Sequence, residues 1–294
     1  MFYYYVFSSQ VQIDYIKNYA IQTGVPHTNL SILKKTPVPL PPLSVQKKIA
    51  SILGAFDDKI ELNRQMNMTL EGMAQALFKS WFIDFDPVHQ NISNNTPNNS
   101  RNGAQRNDGS NDDQPAKNRH YGEYASIPAA VLKLFPKEFE DSKLGLIPKE
   151  WKVEKIGNLL ELAYGKSLTA KDRKLGSVPV YGSGGVTGTH SEALVSGPGV
   201  IIGRKGTVGS VYWEDGDFFP IDTVFYVKIS SSTMPLHWAY QQLRLVDIEK
   251  LGADSAVPGV NRNAILDKEW VRPIDELLFE YWRVVKDGKI LANS

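Results

Sequence analysis

Residues 25–29 read VPHTN, and residues 257–261 read VPGVN. A single offset continues this alignment without a gap and matches Asn29 with Asn261, Leu33 with Ile265, and Pro41 with Pro273. A helical pattern follows each copy. The repeat therefore predicts two similar modules, each joined to a helix, and this arrangement suits a protein that reads two places on one partner.

Composition is that of a soluble globular chain. The sequence has 294 residues, of which 42% are hydrophobic and 22% charged. This length is enough for about two domains. The formal net charge of +1 means that any nucleic-acid binding must come from a local patch. The absence of cysteine excludes disulfides, thiolate metal sites and cysteine nucleophiles. We find neither a signal peptide nor a stretch near the ~18 apolar residues of a membrane span, and we predict a cytoplasmic protein without a membrane partner.

Changes in pattern divide the chain into five predicted segments. The first is the end of one module, the second a spacer helix, the third a low-complexity linker with a short helix, the fourth a complete module, and the fifth a short distal helix. Their predicted bounds are 1–41, 42–88, 89–141, 142–273 and 274–294.

The spacer helix has apolar residues at intervals of three and four, and two asparagines continue the same stripe. Polar residues in such a seam fix register and partner in coiled coils. Roughly 38 helical residues would span about 57 Å, more than a small domain needs. We expect a coiled-coil strut, and an ordinary amphipathic core helix is the alternative. The predicted seam is Ile49, Leu53, Phe56, Ile60, Asn63, Asn67, Leu70, Leu77 and Trp81.

The complete module reads as short strands interrupted by glycines, followed by a helix predicted over residues 236–251. The predicted strands are at residues 178–181, 199–202, 208–213 and 223–228. The sequence therefore predicts an α+β fold, with an irregular sheet in a mixed module and long helices that pair as an antiparallel coiled coil.

Enzyme motifs fail on their spacing. Residues 165–167 read GKS, but a phosphate-binding loop needs a glycine where Leu160 stands. No metal-ligand spacing relates the five histidines, which are His27, His89, His120, His190 and His237. We expect no catalytic or metal site.

Basic residues concentrate on two glycine-bearing stretches of the complete module. Lysine and arginine there can neutralise phosphates, and Arg204 could make a bidentate contact to guanine. Solvated loops with glycines at tight turns are an equally good explanation from composition alone. The candidate DNA-binding residues are Lys166, Ser167, Lys171, Arg173, Lys174, Tyr181, Ser183, His190, Arg204, Lys205, Thr207 and Arg262.

Longer motifs resemble one known family. Residues 39–46 (PLPPLSVQ), 57–63 (DDKIELN) and 76–87 (ALFKSWFIDFDP) resemble the central conserved region of type I restriction–modification specificity subunits. Residues 164–168, 179–185, 197–209 and 254–259 are similar to a target-recognition domain of that family. The resemblance covers nearly the whole chain apart from the linker.

The resemblance implies a non-catalytic subunit with two target-recognition domains that each read half of a bipartite DNA sequence. Two helices between them set the spacing and bind methyltransferase subunits. In this family, S-adenosylmethionine belongs to the methyltransferase subunits, and the ATP- and Mg-dependent steps belong to the restriction subunit. We therefore expect no cofactor on this chain.

Two departures from the family pattern affect this expectation. Only the last ~40 residues of a first recognition domain are present, and the distal helix is short. We expect an N-terminally truncated form that associates with a second copy through its helices or complements another half. A non-DNA-reading protein that only binds the methyltransferase subunit through its helix is the alternative.

Overall fold

The computed structural model describes residues 1–19, 29–95, 127–252 and 259–286, and the chain divides into two compact units, Met1–Met73 and Ala74–Ser294. The first part of each repeat, Val25–Pro26 and Val257–Pro258, lies outside the described residues, as do His27 and His120. The five predicted segments remain predictions, and the division between the compact units falls inside the spacer helix.

The first unit consists of helices. These are α1 (Phe2–Ser8), α2 (Gln10–Tyr19), α3 (Leu30–Lys35) and the first three-quarters of α4 (Leu43–Phe82). Gln12 of α2 is buried, and its Nε2 donates to the carbonyl oxygen of Pro37 at 2.8 Å. The hydroxyl of Tyr5 in α1 donates to Asp57 of α4 at 2.6 Å. These two bonds fix α2 to the proline-rich segment and α1 to α4.

Helix α4 begins where the prolines end. Pro42 prevents the residues before it from being helical, because it has no N–H to donate and its ring clashes with a preceding turn. Its carbonyl accepts the first helical hydrogen bond, from the amide of Gln46 at 3.0 Å. The side chain of Gln46 donates back to the carbonyl of Pro41 at 2.8 Å. The long helix predicted in the spacer segment is observed over residues 43–82. Residues 55–70 are all exposed, and the coiled coil itself stays a prediction.

Helix α4 ends at Phe82, before the predicted segment boundary at residue 88. The chain turns at Phe85, whose φ is +54°, and α5 (Asp86–Asn95) starts at the next residue. Pro87 lies in the first turn of α5, where its missing N–H costs nothing. Residues 89–95 were predicted to begin the linker and instead belong to this helix. Buried Asn91 on α5 is the physical reason, since its side chain donates to the carbonyls of Leu132 at 3.0 Å and Phe135 at 2.9 Å.

The second unit is a mixed module. Along the chain its elements after α5 are α6 (Ala129–Leu132), β1 (Phe139–Ser142), β2 (Gly145–Pro148), β3 (Lys152–Lys155), α7 (Ile156–Leu159), β4 (Leu160–Tyr164), β5 (Val178–Gly182), β6 (Gly185–His190), β7 (Gly199–Gly203), β8 (Val211–Glu214), β9 (Phe219–Pro220), β10 (Val224–Ile229), α8 (Leu236–Leu245), a 3₁₀ turn (Lys250–Gly252), α9 (Arg262–Leu266), β11 (Glu269–Arg272) and α10 (Asp275–Lys286).

The strands form several small sheets, as the predicted irregular sheet requires. A four-stranded sheet has the order β4-β10-β7-β8, and its paired strands run antiparallel. A three-stranded sheet has the order β6-β5-β9, with β5 and β9 parallel. The pairs β1-β2 and β11-β3 are separate. Strands near residues 180, 200, 212 and 226 were predicted correctly, and the α+β fold class is confirmed.

The core of the second unit joins the end of α4 to α10 through aromatic side chains. Phe82 is 2% exposed, and its ring lies 5.2 Å from that of Tyr281 on α10 and 6.2 Å from that of Trp238 on α8. Trp81, predicted as a seam residue, is equally buried and packs on Phe135 and Tyr281. The last turns of α4 therefore form part of the core of this module.

The predicted end of the helix in the complete module is corrected by the structure. Helix α8 stops at Leu245, earlier than the predicted residue 251, because Val246 adopts an extended conformation. No helix in the described ranges is both long enough and apolar enough to span a membrane.

Candidate nucleic-acid interface

The pairing of three strands brings two basic loops to one edge of the four-stranded sheet. Strand β10 runs antiparallel to both of its neighbours, so its first residues lie beside the last residues of β4 and of β7. In this register Phe225 faces Tyr164, and Val224 faces Gly203. The loop that follows β4 and the loop that follows β7 therefore begin next to each other.

Tyr164 is the centre of this edge. Its ring is 54% exposed and packs edge-on against Phe225, with centroids 5.1 Å apart. The guanidinium carbon of Arg204 lies 5.4 Å from the ring centroid, and that of Arg262 lies 5.7 Å from it. Both distances are within the range of cation–π attraction. We name Tyr164, Arg204 and Arg262 the Tyr164 cluster.

The backbone of the loop after β7 is fixed from several sides. The amides of Arg204 and Lys205 donate to the carbonyl of Thr223 at 2.9 and 3.2 Å. The carbonyl of Arg204 accepts from the amide of Val260 at 3.1 Å, and Lys205 forms an antiparallel bridge with Gly259. These contacts hold the segment that leads into α9 beside the loop, and they explain how Arg262 reaches Tyr164.

Ser183, in the turn between β5 and β6 of the three-stranded sheet, contacts the same loop. Its hydroxyl donates to the carbonyl of Lys205, and its own carbonyl accepts from the hydroxyls of Ser210 at 2.7 Å and Tyr212 at 3.1 Å. A buried polar group with all of these partners is a rigid support. The loop is thus held in place before any ligand arrives.

Two glycines are required by close approach of the backbone. A side chain at Gly165 would collide with the carbonyls of Pro220 and Ile221, and a side chain at Gly203 would collide with the carbonyl of Thr207. Gly165 therefore allows the first basic loop to lie against the segment before β10, where the amide of Lys166 donates to Pro220 at 3.0 Å. Gly165 and Gly203 therefore serve packing.

Three charged side chains at this edge are available to a ligand. Lys166 and Lys205 have exposed side chains, and Arg262 is half-buried. None of these three forms an ion pair or a side-chain hydrogen bond within the described part of the chain. Arg262 packs on the Tyr164 ring, and Lys166 and Lys205 belong to the two loops that begin at this edge. These three cations, without a counter-charge in the described residues, create a local positive patch on a chain of net charge +1. Ser167, Lys171 and Thr207 are also exposed.

The other predicted basic residues are engaged within the module. Arg173 donates to the carbonyl of Thr187 at 2.7 Å and to its hydroxyl at 3.2 Å, which fixes the loop to β6. Lys174 forms an ion pair with Glu192 at 3.1 Å, and this contact lowers the pKa of Glu192. The structure therefore does not bring Arg173 and Lys174 into the Tyr164 cluster.

Three further predicted DNA contacts lie in buried positions with hydrogen-bond partners inside the module. Tyr181 is 6% exposed, and its hydroxyl donates to Glu214 at 2.8 Å, while burial and this hydrogen bond raise its pKa. His190 accepts from the amide of Lys174 at 2.9 Å through Nδ1. Ser183 is used by the loop contacts given above. These side chains shape the loops and do not face solvent.

Sequence reasoning missed Tyr164 as a functional residue. Its position directly before the Gly165-Lys166 pair is a signal that could have found it, because an aromatic residue at the end of a strand often remains partly exposed. The carbonyl of Asp222, which accepts from Nη2 of Arg204 at 2.5 Å, carries no signal in the sequence. In the described ranges, no group of three or more acidic or histidine side chains could hold a metal ion.

Comparison with known proteins supplies the family. The family model described as the type I restriction modification DNA specificity domain matches residues 1–72 and 148–267. The chain is 40% identical over 84 residues to the MjaIX type I restriction enzyme specificity subunit of Methanocaldococcus jannaschii, and the match covers 29% of this chain and 19% of that protein. It is 63% identical over 49 residues to the HindI specificity subunit of Haemophilus influenzae, covering 17% and 11% of the two chains. The matched parts thus span about a fifth or less of these two relatives.

The chain is also similar to a crystal structure of a type I restriction–modification system S subunit from M. genitalium. The match covers 98% of this chain and 66% of that chain, with 18% sequence identity and a TM-score of 0.48. The family model covers well over half of the chain. The Tyr164 cluster, with residues 164 to 262, lies inside the second matched range. The chain therefore belongs to the type I restriction modification DNA specificity domain family.

Proposed function

We propose that this chain is the DNA-recognition and scaffold subunit of a type I restriction–modification complex. In this proposal, the module of residues 142–273 reads one half of a bipartite DNA target, and helices α4 and α10 dock methyltransferase subunits. The restriction subunit joins through the assembled complex. The chain itself is non-catalytic, so S-adenosylmethionine, ATP and Mg are bound by the partner subunits.

The observation that carries this proposal is the Tyr164 cluster with its two neighbouring lysines. Lys166 and Lys205 are exposed on the two loops that begin beside Tyr164, and the ring of Tyr164 is flanked by two guanidinium groups. DNA offers the complementary surface, because phosphates attract the cations and base edges offer paired acceptors. The loop is held rigidly at Thr223, Ser183 and Val260, so little ordering entropy opposes binding.

Salt-dependent DNA binding by the assembled complex tests this proposal. We expect the double variant Lys166→Ala and Lys205→Ala to weaken binding and to lower the slope of log affinity against log salt concentration by about two, about one for each lost phosphate contact. Lys137→Ala is the matched control, since Lys137 is exposed and has no ion pair in the described residues. An unchanged affinity with an unchanged salt slope would count against DNA recognition by this edge.

The scaffold part of the proposal is supported by the surface of α4. Apolar side chains remain exposed along its middle, among them Phe56 at 63% and Ile60 at 50%. Exposed apolar residues in a regular helical stripe are typical of surfaces that bind another helix or protein. We therefore assign this stripe to contacts with a methyltransferase subunit or with a second copy of the chain.

Co-purification with the methyltransferase subunit tests the scaffold part. The variant Ile60→Glu should reduce the recovered complex because it places a charge in the stripe, and Lys59→Glu should not because it changes the neighbouring face. Equal recovery of both variants would remove the stripe from the interface.

The alternative function is a scaffold that binds the methyltransferase subunit without reading DNA. The exposed stripe of α4 favours it as much as it favours the main proposal. Stable association with the methyltransferase subunit and equal affinity for all DNA sequences would select this alternative.

A further inference from the structure

Resting on the proposed function, we infer that Arg262 is a specificity-determining residue that contacts the major-groove edge of a guanine, and that Tyr164 and Arg204 position it. The sequence alone favoured Arg204 for such a contact. The structure transfers that role to Arg262 because of the hydrogen-bonding state of the two side chains.

Arg204 has few donors left for a ligand. Its Nη2 donates to the carbonyl of Asp222, and its Nε is buried without a partner among the described residues. A bidentate contact to guanine needs two adjacent N–H donors in one plane. Arg204 instead packs over the rings of both Tyr164 and Phe225, which makes it a support for the cluster.

Arg262 retains its donors. Within the described residues its guanidinium makes no hydrogen bond and no ion pair, and it packs against the ring of Tyr164. Packing on an aromatic ring restricts the guanidinium while the N–H groups on its edge stay available. Arg262 is also half-buried, so its charge is less screened than that of an exposed lysine.

The internal repeat separates the role of this position from the needs of the fold. Asn29 and Asn261 both begin a short helix, and the next residue is Leu30 in the first copy and Arg262 in the second. Leu30 is 66% exposed. The helix start therefore forms with leucine at this position, and the arginine is not required for folding.

The segment that carries Arg262 is attached to the loop that carries Arg204. The bridge between Lys205 and Gly259 and the bond from the amide of Val260 to the carbonyl of Arg204 set the register between them. A displacement of the loop would move Arg262 with it. This coupling suits a contact that has to distinguish one base from another.

The test is the methylated DNA motif produced by the complex of the full chain with its methyltransferase subunit, compared for Arg262→Lys, Arg262→Leu and the unmodified chain. We expect both variants to lose the preference for guanine at one position of the motif, a change of about 5- to 150-fold in discrimination. Arg262→Lys keeps the charge, so its affinity for non-specific DNA and its salt slope should stay unchanged. Leucine is the residue of the other repeat copy, so Arg262→Leu should fold and assemble.

Tyr164 provides a second, independent readout of positioning. Tyr164→Phe retains the ring and should keep the motif, whereas Tyr164→Leu removes it and should relax the same guanine position. A uniform loss of affinity in Arg262→Leu with the motif intact would assign Arg262 to a phosphate and overturn the inference. An unchanged motif and affinity in both Arg262 variants would also overturn it and leave the proposed function standing. If the unmodified complex methylates no motif, the proposed function fails and the inference with it.

Discussion

Asn29 and Asn261 occupy the same structural position in the two copies of the repeat. The side-chain oxygen of Asn29 accepts from the amide of Ile32 at 3.0 Å, and that of Asn261 accepts from the amide of Asn263 at 2.9 Å. Each caps a short helix, and the same offset that relates the two asparagines also relates the first residues of the two long helices, Leu43 and Asp275. The repeat is therefore a structural unit of cap, short helix, connecting segment and long helix.

Removal of a cap should destabilise its module. We expect Asn261→Ala to lower the free energy of unfolding by about 1 kcal/mol, because an N-terminal amide of α9 loses its acceptor. Denaturant unfolding measures the difference. Asn263→Ala is the control, since its exposed side chain makes no capping bond, and an equal loss from both variants would show that Asn261 does not act as a cap.

The end of α4 should fold with the second unit. Phe82→Ala removes a ring that contacts Trp151, Trp238 and Tyr281, and we expect a loss of about 3–5 kcal/mol in unfolding free energy. The neighbouring Ile83 is 41% exposed, so Ile83→Ala should cost less than about 1 kcal/mol. Similar effects of the two substitutions would place the end of α4 outside the core.

Asn91 should be one of the most sensitive polar residues. Asn91→Ala leaves the carbonyls of Leu132 and Phe135 without their donor, and we expect a loss of about 2–3 kcal/mol from this buried site. Gln90→Ala, one residue earlier on the exposed face of α5, is the control. Thermal unfolding of both variants and of the unmodified chain measures the difference. Equal melting temperatures for the two variants would refute the bridging role of Asn91.

Tyr5 should titrate at high pH. Its hydrogen bond to Asp57 is the main cause that raises the pKa of Tyr5 to about 12, with burial and the charge of Asp57 adding to it. The neutral phenol is the bonded form, so the contribution of this contact to stability is complete below pH 10 and is lost as the pH rises from 10 to about 12.

Tyrosinate absorbance measures this titration as the difference between the unmodified chain and Tyr5→Phe. Asp57→Asn should return the pKa of Tyr5 toward 10, because the carboxylate acceptor is gone. A pKa of Tyr5 that is the same with and without the Asp57 carboxylate would show that the hydrogen bond does not form.

Local patterns in the sequence predict the long elements of this fold well. Apolar spacing along α4 and the prolines before it give a helix over residues 43–82, as observed. Alternation and glycine boundaries locate strands β5, β7 and β10 within a residue or two. These elements are predictable because their signals are local.

The elements that the sequence does not predict depend on distant partners. Helix α5 continues through a polar stretch because the side chain of Asn91 donates to the carbonyl of Phe135. This pairing of residues that are distant in the sequence could not be inferred from the local pattern around Asn91. Trp81, which the apolar spacing assigns to a coiled-coil seam, packs on Tyr281 of α10 in the core of the second unit.

The candidate site could be predicted in part. Clustered lysine and arginine identified Lys166, Arg204 and Lys205, and the structure brings their loops together at one edge. Whether a polar residue faces solvent or supports a loop depends on the tertiary fold, and Tyr181 and His190 are buried. Tyr164 was missed because its role arises from two arginines that only the strand pairing brings to it.

The most direct measurement is a genome-wide map of methylated adenines in cells that express this chain with its methyltransferase subunit. We expect methylation at one defined sequence motif, and loss of that methylation when Lys166, Lys205 and Arg262 are replaced together. Methylation of the same motif by the triple variant, at an equal level, would contradict the assignment of DNA recognition to this edge of the module.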